Sequence, residues 1–178
     1  DPNNRWYNED GGSGRFDATQ SCASLPNANE MSWYCMYGDS RWDDDELWTT
    51  MGHLYKGGMW FKKKSVLQAE HHYDTEKSAD GSTDLRTTNS QYHYSSNRII
   101  NSGLPSAAEA GNYFYLPALG YYQNGQQFGV GTLGYFWSSS ADSRDNSGAY
   151  GLLFSSYNSN VSVFVVRSNY GFRAGGFE

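Results

Sequence analysis

The chain is short of the side chains from which catalytic and metal sites are usually built. It has four histidines and two cysteines in 178 residues, and neither Cys22 nor Cys35 stands at a metal-ligand spacing. Two cysteines allow one disulfide in an oxidising compartment. They equally allow two thiols, with Cys35 buried among Trp33, Tyr34 and Met36. Basic residues are scarce too: 13 Lys and Arg against 19 Asp and Glu leave a formal charge of −6. Binding nucleic acid through its phosphates calls for a basic excess, so nucleic acid is not an expected partner. No apolar run approaches the ~20 residues that cross a bilayer, which argues against direct membrane insertion. No phosphate loop and no dinucleotide fingerprint occurs. The chain opens without Met and without a basic stretch leading into an apolar one. It therefore reads as a mature or excised piece of a longer protein.

What the chain does have is aromatic surface. Aromatics are 17% of the residues and fifteen of them are Tyr, more hydroxyls than a core of this size can satisfy. Many should lie at a rim. The length suits one domain with a substantial core.

Residues 1–24, with Gly11-Gly12-Ser13-Gly14, read as an arm or linker to an upstream region. Leu25-Pro26-Asn27 then prepares a helix, with Asn27 as N-cap, Glu30 completing a capping box, Met31, Tyr34 and Cys35 as the apolar stripe and Gly38 as the stop. Asp43-Asp44-Asp45-Glu46 predicts a second helix, because carboxylates suit a first turn. Leu47, Met51, Leu54 and Tyr55 would be its buried face and Gly57-Gly58 its end. A calcium site is the other reading of the acidic run, but the loop-and-glycine pattern is missing. Met59 to Lys64 has the aromatic content of a strand, and Lys62-Lys63-Lys64 reads as its solvated end or edge. Residues 68–112 look polar and irregular. Strands follow at Tyr113 to Leu116 (stopped by Pro117), Leu133 to Ser138, Tyr150 to Phe154, Val161 to Val166 and Tyr170 to Arg173. Helices first and short antiparallel strands after give an α+β class.

Candidate chemistry is thin. His71-His72, even with Glu70 and Asp74, read as an exposed loop rather than a metal pair, and His53 and His93 stand alone. Ser138-Ser139-Ser140 lacks a nucleophile elbow. Glu30, Glu70 and Glu109 are carboxylates of a kind any soluble domain carries. No catalytic residue, metal or cofactor is expected. Asn160-Val161-Ser162 is a formal glycosylation sequon.

From Tyr135 onward, aromatic anchors alternate with Ser, Asn, Asp, Arg and Tyr, the composition of a binding surface made from loops. Leu25-Pro26-Asn27-Ala28-Asn29-Glu30, Leu116-Pro117-Ala118, Gly134-Tyr135-Phe136-Trp137-Ser138-Ser139-Ser140, Ala149-Tyr150-Gly151-Leu152-Leu153-Phe154, Arg167 and Gly171-Phe172 follow one another in an informative order. In that order the chain resembles the C-type-lectin-like domains of bacterial surface proteins abundant in Bacteroidetes and Fibrobacter. The resemblance runs from about Leu25 to the end. It implies a C-type-lectin-like fold over 25–178, with two N-terminal helices packed on a short-stranded antiparallel sheet with long loops. The early cysteines do not match the formylglycine-generating relatives, and the proline contexts do not match the calcium-dependent sugar binders.

Within that family, 135–178 resembles the variable region of a diversity-generating retroelement protein. The residue types there are those that adenine-directed mutagenesis of Asn-type codons produces, and no Lys follows Lys77. The resemblance implies displayed positions at Asp142, Ser143, Arg144, Ser147, Gly151, Leu153, Ser156, Tyr157, Asn158, Asn160, Ser162, Phe164, Val166, Ser168, Asn169 and Tyr170. Trp137, Ala149, Leu152, Phe154, Gly171 and Phe172 would be scaffold. It further implies a non-enzymatic adhesin-like module on a bacterial cell surface, tethered to an upstream anchor or pilus domain. The partner would be a protein or glycan on a host, phage or neighbouring cell. A pilus or surface-protein assembly module with an invariant tail is the alternative, and an enzyme would need a convergent titratable cluster.

Overall fold

Asn27 starts the first element. Its side-chain oxygen accepts from the Glu30 N–H at 3.0 Å, and the Glu30 carboxylate accepts from the Asn27 N–H at 2.7 Å. This reciprocal pair caps α1 (Ala28–Tyr37), and Gly38 closes it. The computed structural model describes residues 21–88, 94–96, 103–144, 147–157, 160–175 and 177–178. Residues 1–20 of the expected 1–24 arm, the lone His93 and Asn158 lie outside them. Met31, Tyr34 and Cys35 are buried, as the stripe predicts. Asn29 and Ser32 are buried as well, because Asn29 bonds the Leu85 N–H and the Asp84 carboxylate while Ser32 receives the Ala79 N–H.

The acidic run does not open a helix. Residues 41–62 form an antiparallel hairpin of β1 (Arg41–Thr50) and β2 (His53–Lys62). The reason lies in Asp43, which is 5% exposed. Its carboxylate accepts from the N–H groups of Asp45 (2.9 Å) and Glu46 (3.0 Å) and from Trp60 Nε1 (2.9 Å). Bonds of this kind to the next N–H groups could equally cap a helix; what makes the run a strand is the Trp60 bond and the pairing with β2 on both sides of a bulge between Asp43 and Leu47. The expected buried face is thereby turned out: Leu47, Met51 and Leu54 are 61%, 73% and 65% exposed. Gly57 and Gly58 run through β2 instead of ending a helix. A Cβ on Gly58 would collide with the Tyr115 phenol.

Among the described residues the second helix is α2 (Lys64–Ala69), six residues long and after the hairpin, so the expected helix over the acidic run is not formed and two N-terminal helices are not shown there. The lysine run leads into it with each member bonded. Lys62 pairs with Glu70 at 2.6 Å, Lys64 with Glu30 at 3.4 Å, and Lys63 donates to the Gly111 carbonyl at 2.8 Å. The polar stretch that follows carries β3 (Tyr94–Ser96) and a 3-10 turn at Ala110–Asn112.

β4 (Tyr113–Pro117) pairs with β2, giving the order β1-β2-β4. A short hairpin of β5 (Tyr121–Gln123) and β6 (Gln126–Phe128) follows. β7 (Leu133–Ala141), β8 (Gly148–Ser155) and β9 (Asn160–Arg167) form an antiparallel meander, and β3 adds beyond β9 to give β3-β9-β8-β7. The class is α+β with mostly antiparallel strands and few helices. The expected strand at Tyr170–Arg173 is reduced to bridges, Gly171 with Tyr122 and Arg173 with Phe136.

One core joins α1 to both sheets through Met31, Tyr34, Met59, Phe61, Phe114, Leu116, Phe136, Leu152, Phe154, Val161 and Val163. Each such large side chain contributes roughly 1.5–3 kcal/mol by leaving water. Cys22 and Cys35 are not joined, and Cys35 Sγ contacts the Val161 carbonyl at 3.3 Å inside this core.

Candidate functional site

β9 sorts its side chains by parity. Val161 and Val163 are fully buried and Val165 packs on the same core. Asn160, Ser162, Phe164 and Val166 point to the other face and are half-exposed. Register extends that face across the sheet. Phe164 lies beside Gly151, which lies beside Trp137, and Ser162 lies beside Leu153, which lies beside Tyr135. On the far side Ser95 of β3 meets Ser162 with hydroxyls 3.4 Å apart.

The segment after β9 folds back along one side of this face. Gly171 exchanges two 2.8 Å backbone hydrogen bonds with Tyr122, and the Trp137 N–H donates to the Arg173 carbonyl. Phe172 then stacks on Trp137 at 4.1 Å and meets Tyr135 edge-on at 4.9 Å. Tyr121 packs beside Tyr135 (4.8 Å), Phe128 (5.5 Å) and Tyr170 (5.7 Å), and Gln123 donates to the Tyr170 hydroxyl at 3.0 Å. The result is an aromatic ridge bordering a row of small, polar and aliphatic groups. Burial, with Tyr121 and Tyr170 beside it, raises the Tyr135 phenol above its ordinary range, so it stays a neutral hydrogen-bonding group. Such a face can stack, donate and accept hydrogen bonds.

The sixteen positions expected to be displayed do not form one patch. Asn160, Ser162, Phe164, Val166 and the half-buried Tyr170 belong to the face just described. Gly151 and Leu153 share it, but as floor: both are buried, and a Cβ on Gly151 would stand 3.1 Å from the Phe136 carbonyl oxygen. A second group sits where β7 turns into β8. Asp142 there is buried, contrary to expectation, because its carboxylate accepts from Arg144 Nη2 at 2.7 Å, Arg144 Nε at 2.9 Å and the Arg144 N–H at 3.1 Å. Ser143 is exposed and donates to the Thr88 carbonyl, while the Ser168 N–H donates to the Ser147 carbonyl. Asn169 is half-buried. A third group, Ser156 and the 74%-exposed Tyr157, occupies the β8–β9 turn. Asp142 and Tyr157 thus lie at opposite ends of the eight-residue β8, roughly 25 Å apart at ~3.3 Å per residue. Among the expected scaffold residues, Trp137, Leu152 and Phe154 are buried, and Phe172 is held by its stack.

The sequence reading missed Tyr121, Phe128 and Tyr135 as part of this surface. Asn124-Gly125, flanked by Tyr121-Tyr122-Gln123 and Gln126-Gln127-Phe128, is a hairpin signal that would have found the first two.

A pocket of about 280 Å³ is lined by Cys35, Tyr37, Asp39, Lys62, Glu70 and His72, among others. Inside it Lys62 pairs with Glu70, His72 stacks on Tyr37 at 4.1 Å, and Asp39 accepts from Tyr113 at 2.6 Å and Arg41 at 2.8 Å. His71 and His72 follow α2 outside the helix, as the loop reading expects, with His71 exposed and the His72 N–H bonded to the Leu67 carbonyl. Ser140 accepts the Ala28 N–H at 3.0 Å and Ser138 donates to the Ser140 carbonyl, so both serines serve the α1–β7 junction. Among the described residues no group of three or more His, Cys, Asp or Glu is placed to hold a metal ion. No family model matches the chain, and neither does any curated protein or solved structure.

Proposed function

We propose that this chain is a ligand-binding module without enzymatic activity, recognising its partner across the outer face of β9, β8 and β7. The observation that carries the reading is the parity of β9: Val161, Val163 and Val165 anchor the core, while Asn160, Ser162, Phe164 and Val166 can change without touching that core. The Tyr170–Phe172 ridge supplies rigid aromatic contact area beside them, and hydroxyls of Ser162, Ser95 and Tyr170 supply adaptable hydrogen bonds. Energy would concentrate at Phe164, a partly exposed ring among polar neighbours. Tyr157 extends the surface at one end. Asp142 has no part in it, since its carboxylate builds a turn.

On the same reading the fold is C-type-lectin-like, and the tail is the variable region of a diversity-generating retroelement. The module would act outside a bacterial cell as an adhesin tethered to an anchor or pilus domain, with a protein or glycan ligand. The test is a library randomised at Asn160, Ser162, Phe164, Val166 and Tyr170 and displayed on phage. Most members should remain folded, and selection against a folded protein bait should return binders. A library that is mostly unfolded, or never yields a binder, overturns the reading. Sibling genes give a second check: their differences should cluster at these positions and spare Val161, Val163, Leu152 and Phe154.

A further inference from the structure

The β1–β2 hairpin carries a second surface, outside the sixteen positions. Single exposed apolar side chains are ordinary, but three converge here. Leu47 and Leu54 share one side of the ribbon, as the pairings Leu47 with Lys56 and Thr49 with Leu54 require, and Met51 stands at the tip. All three are more than half exposed.

Met51 occupies an unfavourable backbone for its type. It has φ +50° and is followed by Gly52 at +78°, the pair of left-handed residues that a tight two-residue hairpin needs. The β5–β6 turn meets the same demand with Asn124 at +50° and Gly125 at +76°, the residues suited to it. A methionine in that place, 73% exposed, gains little from packing; its sulfur meets the Tyr122 hydroxyl at 2.9 Å. Neither local conformation nor the core explains an apolar residue there.

The flank of this apolar tip is acidic. Asp44, Asp45 and Glu46 are exposed on β1 immediately before Leu47. Arg41 is committed to Asp39, and Lys56 is shared with Asp45 at 3.5 Å. β1 is also the edge of its sheet among the described residues, so Leu47 to Thr50 can accept another strand. Complementarity selects the occupant. A second copy would bring the same acids together on a chain of net charge −6. An anionic membrane surface would be repelled likewise.

We propose that the hairpin tip docks an extended segment of a partner protein in which Lys or Arg alternates with aliphatic residues. The segment lies along Leu47–Thr50. Its aliphatic side chains cover Leu47, Met51 and Leu54, and its cations meet Asp44, Asp45 and Glu46.

The probe is a short synthetic peptide alternating Lys with Leu, with a Glu–Leu peptide as its control. Fluorescence anisotropy should show binding of the Lys–Leu peptide alone. Affinity should fall about tenfold in Leu47→Ser/Leu54→Ser, and about tenfold in Asp44→Asn/Asp45→Asn/Glu46→Gln. Met51→Asn keeps the turn geometry, so its loss of affinity cannot be assigned to misfolding; an affinity unchanged in this variant and in the Leu pair overturns the proposal. Equal binding of the Glu–Leu peptide also overturns it. Binding of phosphatidylglycerol vesicles that the tip variants abolish would make the patch a membrane contact instead. Self-association that the same variants abolish would make it a contact between copies.

Discussion

Asp43 shows how one side chain redirects a segment. Burial works against its ionised form, but the bonds from Trp60 and from the Asp45 and Glu46 N–H groups outweigh that and lower its pKa. Asp43→Ala leaves two backbone N–H groups and an indole N–H without their acceptor, and should destabilise by about 1–3 kcal/mol in denaturant titration. Asp39 behaves alike: burial opposes ionisation, and Tyr113 and Arg41 prevail. Asp84 is held well below the ordinary range, first by Arg86 and also by Asn29. All three folded-state values are depressed. Their contribution is therefore complete above the unfolded aspartate value of about 3.9 and is lost as pH falls from there through the folded values. Melting temperature followed from neutral pH downward should stay level and then drop below about pH 4. Asp84→Asn should flatten that drop; an unaltered acid limb would show that Asp84 is not among its causes.

At the scale of elements, local signals were read correctly where the local group made its own bonds. The α1 capping box is complete within four residues, so Asn27 and Glu30 announce it, and Asn27→Ala should cost about 1 kcal/mol by thermal melting. Met59 to Lys62 reads as strand and is strand, but β1 and the start of β2 were illegible for the opposite reason. Acid-rich Asp43 to Glu46 followed by Leu47, Met51 and Leu54 matches helix periodicity, and the contacts that make it a strand come from Trp60 and the rest of β2, which arrive only once the chain has turned back. Nor does its turn carry the usual signal. Met51→Asn should raise stability by about 1 kcal/mol, the left-handed penalty of a side chain other than Gly or Asn. The meander has its own close approach, since a Cβ on Gly134 would stand 2.0 Å from Phe154 Cζ. Gly134→Ala should therefore destabilise by roughly 1–3 kcal/mol through overpacking, read as a lower denaturation midpoint.

Across the whole molecule, Phe177 ties the parts together. Its ring meets Tyr34 of α1 at 5.3 Å, Phe114 of the first sheet at 5.5 Å and Phe136 of the second at 6.0 Å. Glu178 reinforces it by accepting from the Tyr34 hydroxyl at 2.6 Å. Phe177→Ala should cost about 2–3 kcal/mol and should weaken both sheets together, because one core serves both. Near-ultraviolet and far-ultraviolet melts of that variant should therefore shift in parallel; separate transitions would show two independently stable halves.

The α+β class, the capped first helix and the strands at Tyr113, Leu133, Tyr150 and Val161 follow from the sequence alone, since caps and parity are properties of neighbouring residues. Tertiary structure alone decided that the acidic run is a bulged strand and that Asp142, Gly151 and Leu153 are buried. It alone brought Tyr121, Tyr135, Tyr170 and Phe172 onto one ridge. The bulge and the ridge depend on partners distant in sequence, such as Trp60 for Asp43 and Tyr121 for Tyr170. No local propensity encodes a contact whose other half arrives only when the chain has closed.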